Sequence, residues 1–287
     1  MHLKSPAKLN LCLRVIGRRD DGHHALQSLV TFVDVADTLT FTPSDTLSFQ
    51  APSHLPLGAD NLCLKAAEVF GRAIGASITG RLVLEKDIPV GAGLGGGTMN
   101  GAMTLRMLNK LYDYPLAEPD LLGLASHLGA DGVVCAYGKP AWVEGTGNRV
   151  APVLAMPKAW AVLVWPGQGL ATKQVFTYRP IEMRPLVTPP AKGWTHLPDL
   201  LDWLAEEGGN SLLDNAVALL PDVVLAREAL LQTDGCLYAD MTGSGSACFG
   251  LFADASAAQD AARSLKNTHP MWWVRAGRML TNVFDAA

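Results

Sequence analysis

The sequence predicts an α+β protein of two domains, and three observations predict it. Residues 8–15 alternate apolar and polar side chains, as a strand with two unlike faces does. Residues 81–112 run from strand to glycine-rich loop to amphipathic helix. The chain then closes with helix 222–233, strands 236–241 and 248–252, helix 255–266 and strand 272–276. That is the α-β-β-α-β order of a ferredoxin-like domain. A length of 287 residues allows one large or two ordinary domains. Pro152 and Pro157 flank a short link at Ala155-Met156, which sets the expected division at 1–156 and 157–287.

Composition narrows the classes. Hydrophobic residues make up 49% and charged residues 17%, a globular balance. A net charge of −4 argues against a general nucleic-acid binder. No run approaches the ~20 apolar residues of a membrane span, and the short apolar run after Lys4 and Lys8 is broken by Arg14, unlike a signal peptide. The five cysteines (12, 63, 135, 236, 248) are odd in number and widely spaced, with no C-x-x-C pair. Reduced thiols in a cytoplasmic protein are the expectation. A small-molecule partner is expected, without nucleic acid or membrane, in a monomer or homodimer.

In the first strand Leu9, Leu11, Leu13 and Val15 would face the core, and Lys8, Asn10, Cys12 and Arg14 a solvated side. A polar turn at Gly17–Gly22 and the pair His23-His24 lead into strands 29–35 and 38–41, joined at Ala36-Asp37 as a meander. The histidine pair has no further ligand type at metal spacing, so no metal site is expected there. Asn61 to Gly75 reads as a helix with Leu64, Ala67, Val69 and Phe70 inward.

The stretch Ile88–Ala102 follows the strand-like Arg81–Glu85 and carries glycines at 91, 93, 95, 96 and 97. A loop so stripped of side chains lets backbone N–H groups approach an anion. The helix starting near Thr98 adds unpaired N–H groups and the positive end of its dipole. Together Pro89, Val90, Gly91, Ala92, Gly93, Leu94, Gly95, Gly96, Gly97 and Thr98 make a phosphate site. Gly91, Gly93 and Gly96 match G-x-G-x-x-G, but a dinucleotide fold needs an acidic strand end ~20 residues on. Tyr114–Asp120 is instead a turn with Pro115 and Pro119. Gly97-Thr98 lacks the lysine of a Walker A loop, and no H-R-D or D-F-G of a protein kinase occurs.

Helix 119–128 ends at Gly129, and Gly129-Ala130-Asp131 follows, where by its residues alone Asp131 would cap the next segment. Trp160–Trp165 reads as a buried strand. Thr172 could cap helix 173–178, in which Phe176 reads as a core residue one turn in. Residues 179–198 hold Pro180, Pro185, Pro189, Pro190 and Pro198 and predict an extended surface loop. Leu200–Leu204 is a short helix stopped by Gly208-Gly209. Met241–Phe249 joins two strands through Gly243-Ser244-Gly245-Ser246, a hairpin turn by pattern.

Three of these stretches, Pro6-Ala-Lys-Leu-Asn10, Pro89–Thr98 and Met241–Phe249, resemble the motifs of the GHMP small-molecule kinases, in the family's order and in both halves. The run Gly17-Arg-Arg-Asp-Asp-Gly-His-His-Ala-Leu-Gln-Ser-Leu29 is similar to an element of one branch. That branch phosphorylates a cytidyl diphosphate-linked methylerythritol, and usually has tyrosine where His23 stands. The resemblance implies a ribosomal-protein-S5-domain-2-like ATP domain followed by the ferredoxin-like one. It implies transfer of the γ-phosphoryl group of ATP to a C2 hydroxyl, with Mg²⁺ bridging the phosphates. Asp131, in Gly-Ala-Asp, would orient or deprotonate that hydroxyl, and Lys8 would stabilise the phosphoryl oxygens. Substrate contacts would fall to Asn10, His24, Thr172, Phe176, Gly243 and Ser244, with the cytosine in a slot between His24 and Phe176. Departures from the pattern are Met99 for a serine, no proline after Gly132, and Asn148 where glutamate is common. No acidic Mg²⁺ ligand can be named. The alternatives are a GHMP kinase acting on homoserine or a mevalonate, or a catalytically silent relative. The Gly17–Leu29 element speaks against the first, and the presence of both Lys8 and Asp131 against the second.

Overall fold

The computed structural model describes residues 1–286 apart from 54 and 56–59. Its N-terminal half is organised on a long antiparallel pair, β1 (His2–Arg18) and β2 (His24–Thr42). The expected meander is absent, because β2 runs unbroken through Ala36-Asp37. The register jumps there from Pro6↔Ala36 to Ala7↔Val33, so Asp34 and Val35 form a bulge and no turn is needed. The second departure is burial. Lys8, Asn10, Cys12 and Arg14 are 2%, 4%, 1% and 2% exposed, so none of them is solvated. A register shift between Asn10 and Cys12 breaks the strict alternation, putting Leu11 and Cys12 in one core cluster and Leu13 and Val15 in another.

Next come β3 (Leu47–Gln50), α1 (Leu62–Ile74), β4 (Gly80–Glu85) and α2 (Gly96–Leu111). The Asn61 side chain caps α1 by accepting from Cys63 N, and Gly75 ends it in the left-handed conformation. Then follow α3 (Glu118–Ala125) with a 3₁₀ turn at Ser126–Leu128, α4 (Gly132–Tyr137), β5 (Ala141–Gly145) and β6 (Arg149–Pro152). Phe70 of α1, Met99 and Met103 of α2 and Val134 of α4 meet Phe32 and Leu39 of β2 in one core cluster. Met99, the residue in place of a family serine, is fully buried there.

The C-terminal half comprises β7 (Trp160–Trp165), α5 (Thr172–Thr177), α6 (Leu197–Glu207), β8 (Gly209–Asn210) and α7 (Leu213–Leu219). It is completed by α8 (Asp222–Leu231), β9 (Tyr238–Met241), β10 (Cys248–Phe252), α9 (Ala255–Thr268) and β11 (Trp273–Leu280). The antiparallel order β11-β7-β10-β9, with α8 and α9 packed on these strands, is the ferredoxin-like arrangement the sequence predicts. Helix α6 starts earlier than expected because Pro198 fits its first turn, where no N–H is missed.

The two halves share strands. Met279 and Leu280 of β11 pair with Val33 and Phe32 of β2, and β8 pairs in parallel with Cys12 and Leu13 of β1. Val283 then packs, fully buried, in the core of the N-terminal half. The pairing therefore crosses the expected division at 156/157. Among the described residues no helix is long and apolar enough to cross a membrane.

Candidate active site

A cleft of about 470 Å³ is lined by β1, the glycine loop, the start of α1, the Asp131 turn, α5 and the loop 243–245. Its entrance from β4 is anchored by Asp37, a carboxylate buried within β2. Asp37 accepts from Lys86 Nζ (2.5 Å), Asp87 N (2.9 Å), Ile88 N (2.9 Å) and Asn100 Nδ2 (3.0 Å). One side chain thus ties the end of β4, the loop and the first turns of α2 together, and the hydrogen bonds to a charged acceptor are the strong kind.

The loop's carbonyls turn back into the protein. Leu94 O accepts from Lys8 N, Ala92 O from Ala247 N, Gly91 O from Leu170 N and Gly95 O from Met99 N. No side chain caps the start of α2. Gly93 packs backbone to backbone against the second glycine loop, where a Cβ would lie 2.5 Å from Thr242 O. Gly95 has φ 64°, and a Cβ there would meet Lys8 at 3.0 Å. Gly97 is exposed, and a Cβ on it would find only Leu62 at 3.9 Å. Not every glycine of the motif therefore faces the phosphate side.

Lys8 Nζ lies 3.1 Å from Asp131 Oδ2. The lysine side chain is 3% exposed and the aspartate 38%, so the carboxylate opens to the cleft while its partner lies beneath. Asp131 occupies the cap position of α4 but makes no capping bond. The capping expectation from local sequence fails because Lys8 takes the carboxylate. Asn10 holds the lysine from below: its Oδ1 accepts from Lys8 Nζ at 2.5 Å and its Nδ2 donates to Ser28 Oγ at 2.8 Å. With those partners Asn10 orients Lys8, a role the sequence did not point to, while still lining the cleft.

At the other end, His24 of β2 and Phe176 of α5 stand with ring centroids 5.3 Å apart and planes at 33°. The structure brings the two expected rings together from different halves. They touch, however, and a base held between two rings needs about 7 Å at van der Waals spacing on each side. The slot is closed in this conformation. Burial, then Arg18 and His23, holds the His24 imidazole below its usual range, which favours the neutral ring. His23 points to solvent and pairs with Asp21, 3.3 Å away, in the turn before β2.

Thr172 is the first residue of α5 and not its cap, which is Ala171. The Thr172 hydroxyl is instead 2.9 Å from Ser244 Oγ, joining α5 to the second glycine loop. Gly243 and Ser244 line the cleft beside Phe176, as do Pro89, Val90 and Thr98 beside the first loop. Sequence reasoning missed Asp37, Lys86 and Asn100, of which the last two line the cleft. The available signal was an aspartate between the apolar Val35-Ala36 and the strand-like run 38–41, a charge that stays buried only when paired.

The family model of the GHMP kinases N terminal domain matches residues 61–139, and that of the GHMP kinases C terminal matches residues 196–270. The 4-diphosphocytidyl-2-C-methyl-D-erythritol kinase of Cereibacter sphaeroides is 40% identical over 279 residues, covering 96% of this chain and 97% of its own. That of Rhodopseudomonas palustris is 41% identical over 285 residues, 95% of each chain. A crystal structure of 4-(cytidine 5'-diphospho)-2C-methyl-D-erythritol kinase matches with a TM-score of 0.77 at 34% identity, covering 97% of this chain and 99% of its own. Motif order, site geometry and these relatives agree: the chain belongs to the GHMP kinases, in the family of the 4-diphosphocytidyl-2-C-methyl-D-erythritol kinases.

Proposed function

We propose that this protein transfers the γ-phosphoryl group of ATP to the C2 hydroxyl of 4-diphosphocytidyl-2-C-methyl-D-erythritol, a step of non-mevalonate isoprenoid precursor synthesis. The observation that carries the reading is the Lys8–Asp131 pair, 3.1 Å apart, in a cleft with the glycine loop on one side and the His24–Phe176 rings on the other. Phosphoryl transfer asks the protein for in-line positioning and for charge neutralisation more than for covalent help. The N–H groups of residues 93–98 hold the nucleotide phosphates at the start of α2. Asp131, half open to the cleft, orients the acceptor hydroxyl and takes its proton as the bond to phosphorus forms. Lys8, fixed by Asn10, faces the negative charge that gathers on the transferring oxygens.

Mg²⁺, when bound, would supply neutralisation of the charge on the nucleotide phosphates. Among the described residues no group of three or more His, Cys, Asp or Glu could hold a metal. The Thr98 hydroxyl and the Asp60 and Asp131 carboxylates are cleft groups that could ligate it, and the ion would rest mainly on the nucleotide, consistent with the preference of Mg²⁺ for phosphates and water. We place the reaction in the cytoplasm, a reading supported by cysteines that all stand as free thiols. The test is ADP release with the cytidyl substrate, homoserine and mevalonate offered separately. Turnover with the cytidyl substrate alone is expected, and turnover only with one of the others would overturn the assignment.

A further inference from the structure

The segment 209–215, which runs from β8 into the first turn of α7, touches none of the chemistry, yet its side chains reach the second glycine loop, β1 and α5 at the substrate end of the cleft. Asn210 donates from Nδ2 to the carbonyls of Met241 and Gly243, both at 2.9 Å, and accepts from Leu212 N at 2.9 Å. Ser211 is bonded to β1 twice, through Ser211 N to Leu13 O and through its hydroxyl to Val15 N. Asn215 donates from Nδ2 to Val175 O at 2.9 Å and Arg179 O at 3.1 Å, on either side of Phe176 and past the end of α5. The two amides are 7% and 4% exposed.

Helix α5 has reason to need such a clamp. It has six residues, no side-chain cap at its start, and no turn of helix beyond Thr177. A helix this short does not hold itself together in water. Its C-terminal carbonyls have no intrahelical donors, and Asn215 supplies one amide to two carbonyls flanking Phe176. The further tie is the Thr172–Ser244 contact at 2.9 Å, and Ser244 follows the Gly243 carbonyl that Asn210 holds. The bearings of α5 and of the second glycine loop are therefore set from one segment that is itself registered on β1, two residues beyond Asn10.

We propose that Asn215 is a specificity-positioning residue: by holding the carbonyls of residues 175 and 179 it sets where the Phe176 ring stands, and so how tightly the site takes the cytidyl group. Asn210 plays the matching part for the second glycine loop. Because that loop packs directly on Gly93 of the first, its displacement reaches the nucleotide as well. The two residues then differ in what they control. The inference deepens the proposed reaction and rests on it for the identity of the cytidyl group.

The experiment compares Asn215→Asp and Asn210→Asp with the wild-type protein. Aspartate keeps the size but turns the donor into an acceptor facing two carbonyl oxygens, which leaves buried acceptors unpaired. For Asn215→Asp the expected result is a KM for the cytidyl substrate raised about tenfold or more. Its KM for ATP should be unchanged, and kcat should stay within about threefold. For Asn210→Asp both KM values should rise. Hydrogen exchange on the ligand-free proteins supplies a readout independent of the substrate: amides 173–179 should lose protection in Asn215→Asp while the core strands β7 and β10 keep theirs. An unchanged ratio of the two KM values, or unchanged exchange in α5, overturns the proposal. A wild-type protein that does not turn over the cytidyl substrate overturns the proposed reaction instead, and the exchange result then still judges the clamp. If Asn215→Asp does not fold, Asn215→Ser takes its place in both measurements, with the same results supporting or overturning the clamp.

Discussion

Asp131 stands where a helix cap would stand and turns its carboxylate to Lys8. Removing either partner takes away one electrostatic stabiliser, so Asp131→Asn and Lys8→Ala should each lower kcat at least ~100-fold. Unchanged Tm in Asp131→Asn with near-normal turnover would reduce the aspartate to a structural residue. The glycines separate in the same way. Gly95→Val would put a branched side chain at positive φ, straining the backbone by about 1–3 kcal/mol, and would press on Lys8 at 3.0 Å. Both kcat and ATP affinity should fall, which differs from the simple phosphate role its motif suggests. Gly97→Ala meets open space and adds a good helix former, worth up to about 1 kcal/mol of stability. Its Tm should hold or rise while the KM for ATP increases, and a KM left at the wild-type value would remove Gly97 from the nucleotide path.

At the scale of elements, the substrate end depends on two that come from far apart in the chain, β2 with His24 and α5 with Phe176. Stacking of an aromatic ring on a base contributes ~1–3 kcal/mol, so Phe176→Ala should raise the KM for the cytidyl substrate by about ten- to a hundredfold. The KM for ATP should stay put. With the ring centroids 5.3 Å apart, a base must part the two rings or stack on the outer face of Phe176. His24 adds a pH signature. Burial, Arg18 and His23 depress its pKa, so the imidazole is neutral above its ordinary value near 6.5 and gains a proton only at lower pH. Hydrogen bonding to the pyrimidine edge by a neutral ring then gives a cytidyl-substrate KM that is flat from about pH 8 down to the ordinary value and rises on further acidification. The same profile for His24→Asn would assign the rise to another group. A uridyl analogue should be a poor substrate, because a site paired to one polar pattern leaves groups unpaired with another.

For the whole molecule the consequence of shared strands is cooperativity. The sheet path runs from β3 through β2 and β11 to β9, and β8 adds a second link to β1. Chain beyond the last strand also returns, with Val283 N donating to Gly138 O and its side chain buried in the N-terminal core. Calorimetry should therefore show one unfolding transition for both halves. Val283→Ala, which removes fully buried apolar surface worth about 1–2 kcal/mol, should lower that one Tm and leave a single peak. Two separated transitions would mean that each half folds without the other.

Sequence alone carried the periodicities and the motifs: the alternation at the start of β1, the glycine loop before α2, the closing order of helices and strands, and, through a family resemblance, Lys8 and Asp131 as residues of one site. These are legible because strand and helix periods, turn chemistry and motif spacing are properties of neighbours along the chain. What covers a polar face is not such a property. The alternation in β1 holds only as far as Asn10, where a register shift breaks it, and Lys8 and Asn10 line a cleft because Asn10 N meets Thr242 Oγ1 across 232 residues and Lys8 meets Asp131. The break expected at Ala36-Asp37 is absent, because those residues pair with Pro6 and Ser5 of β1, and the irregularity nearby is the bulge at Asp34 and Val35. Asp37, Asn210 and Asn215 look like ordinary polar residues in sequence, and only tertiary structure shows which backbone groups they hold. A buried polar side chain is defined by its partners, and those partners are chosen by the fold.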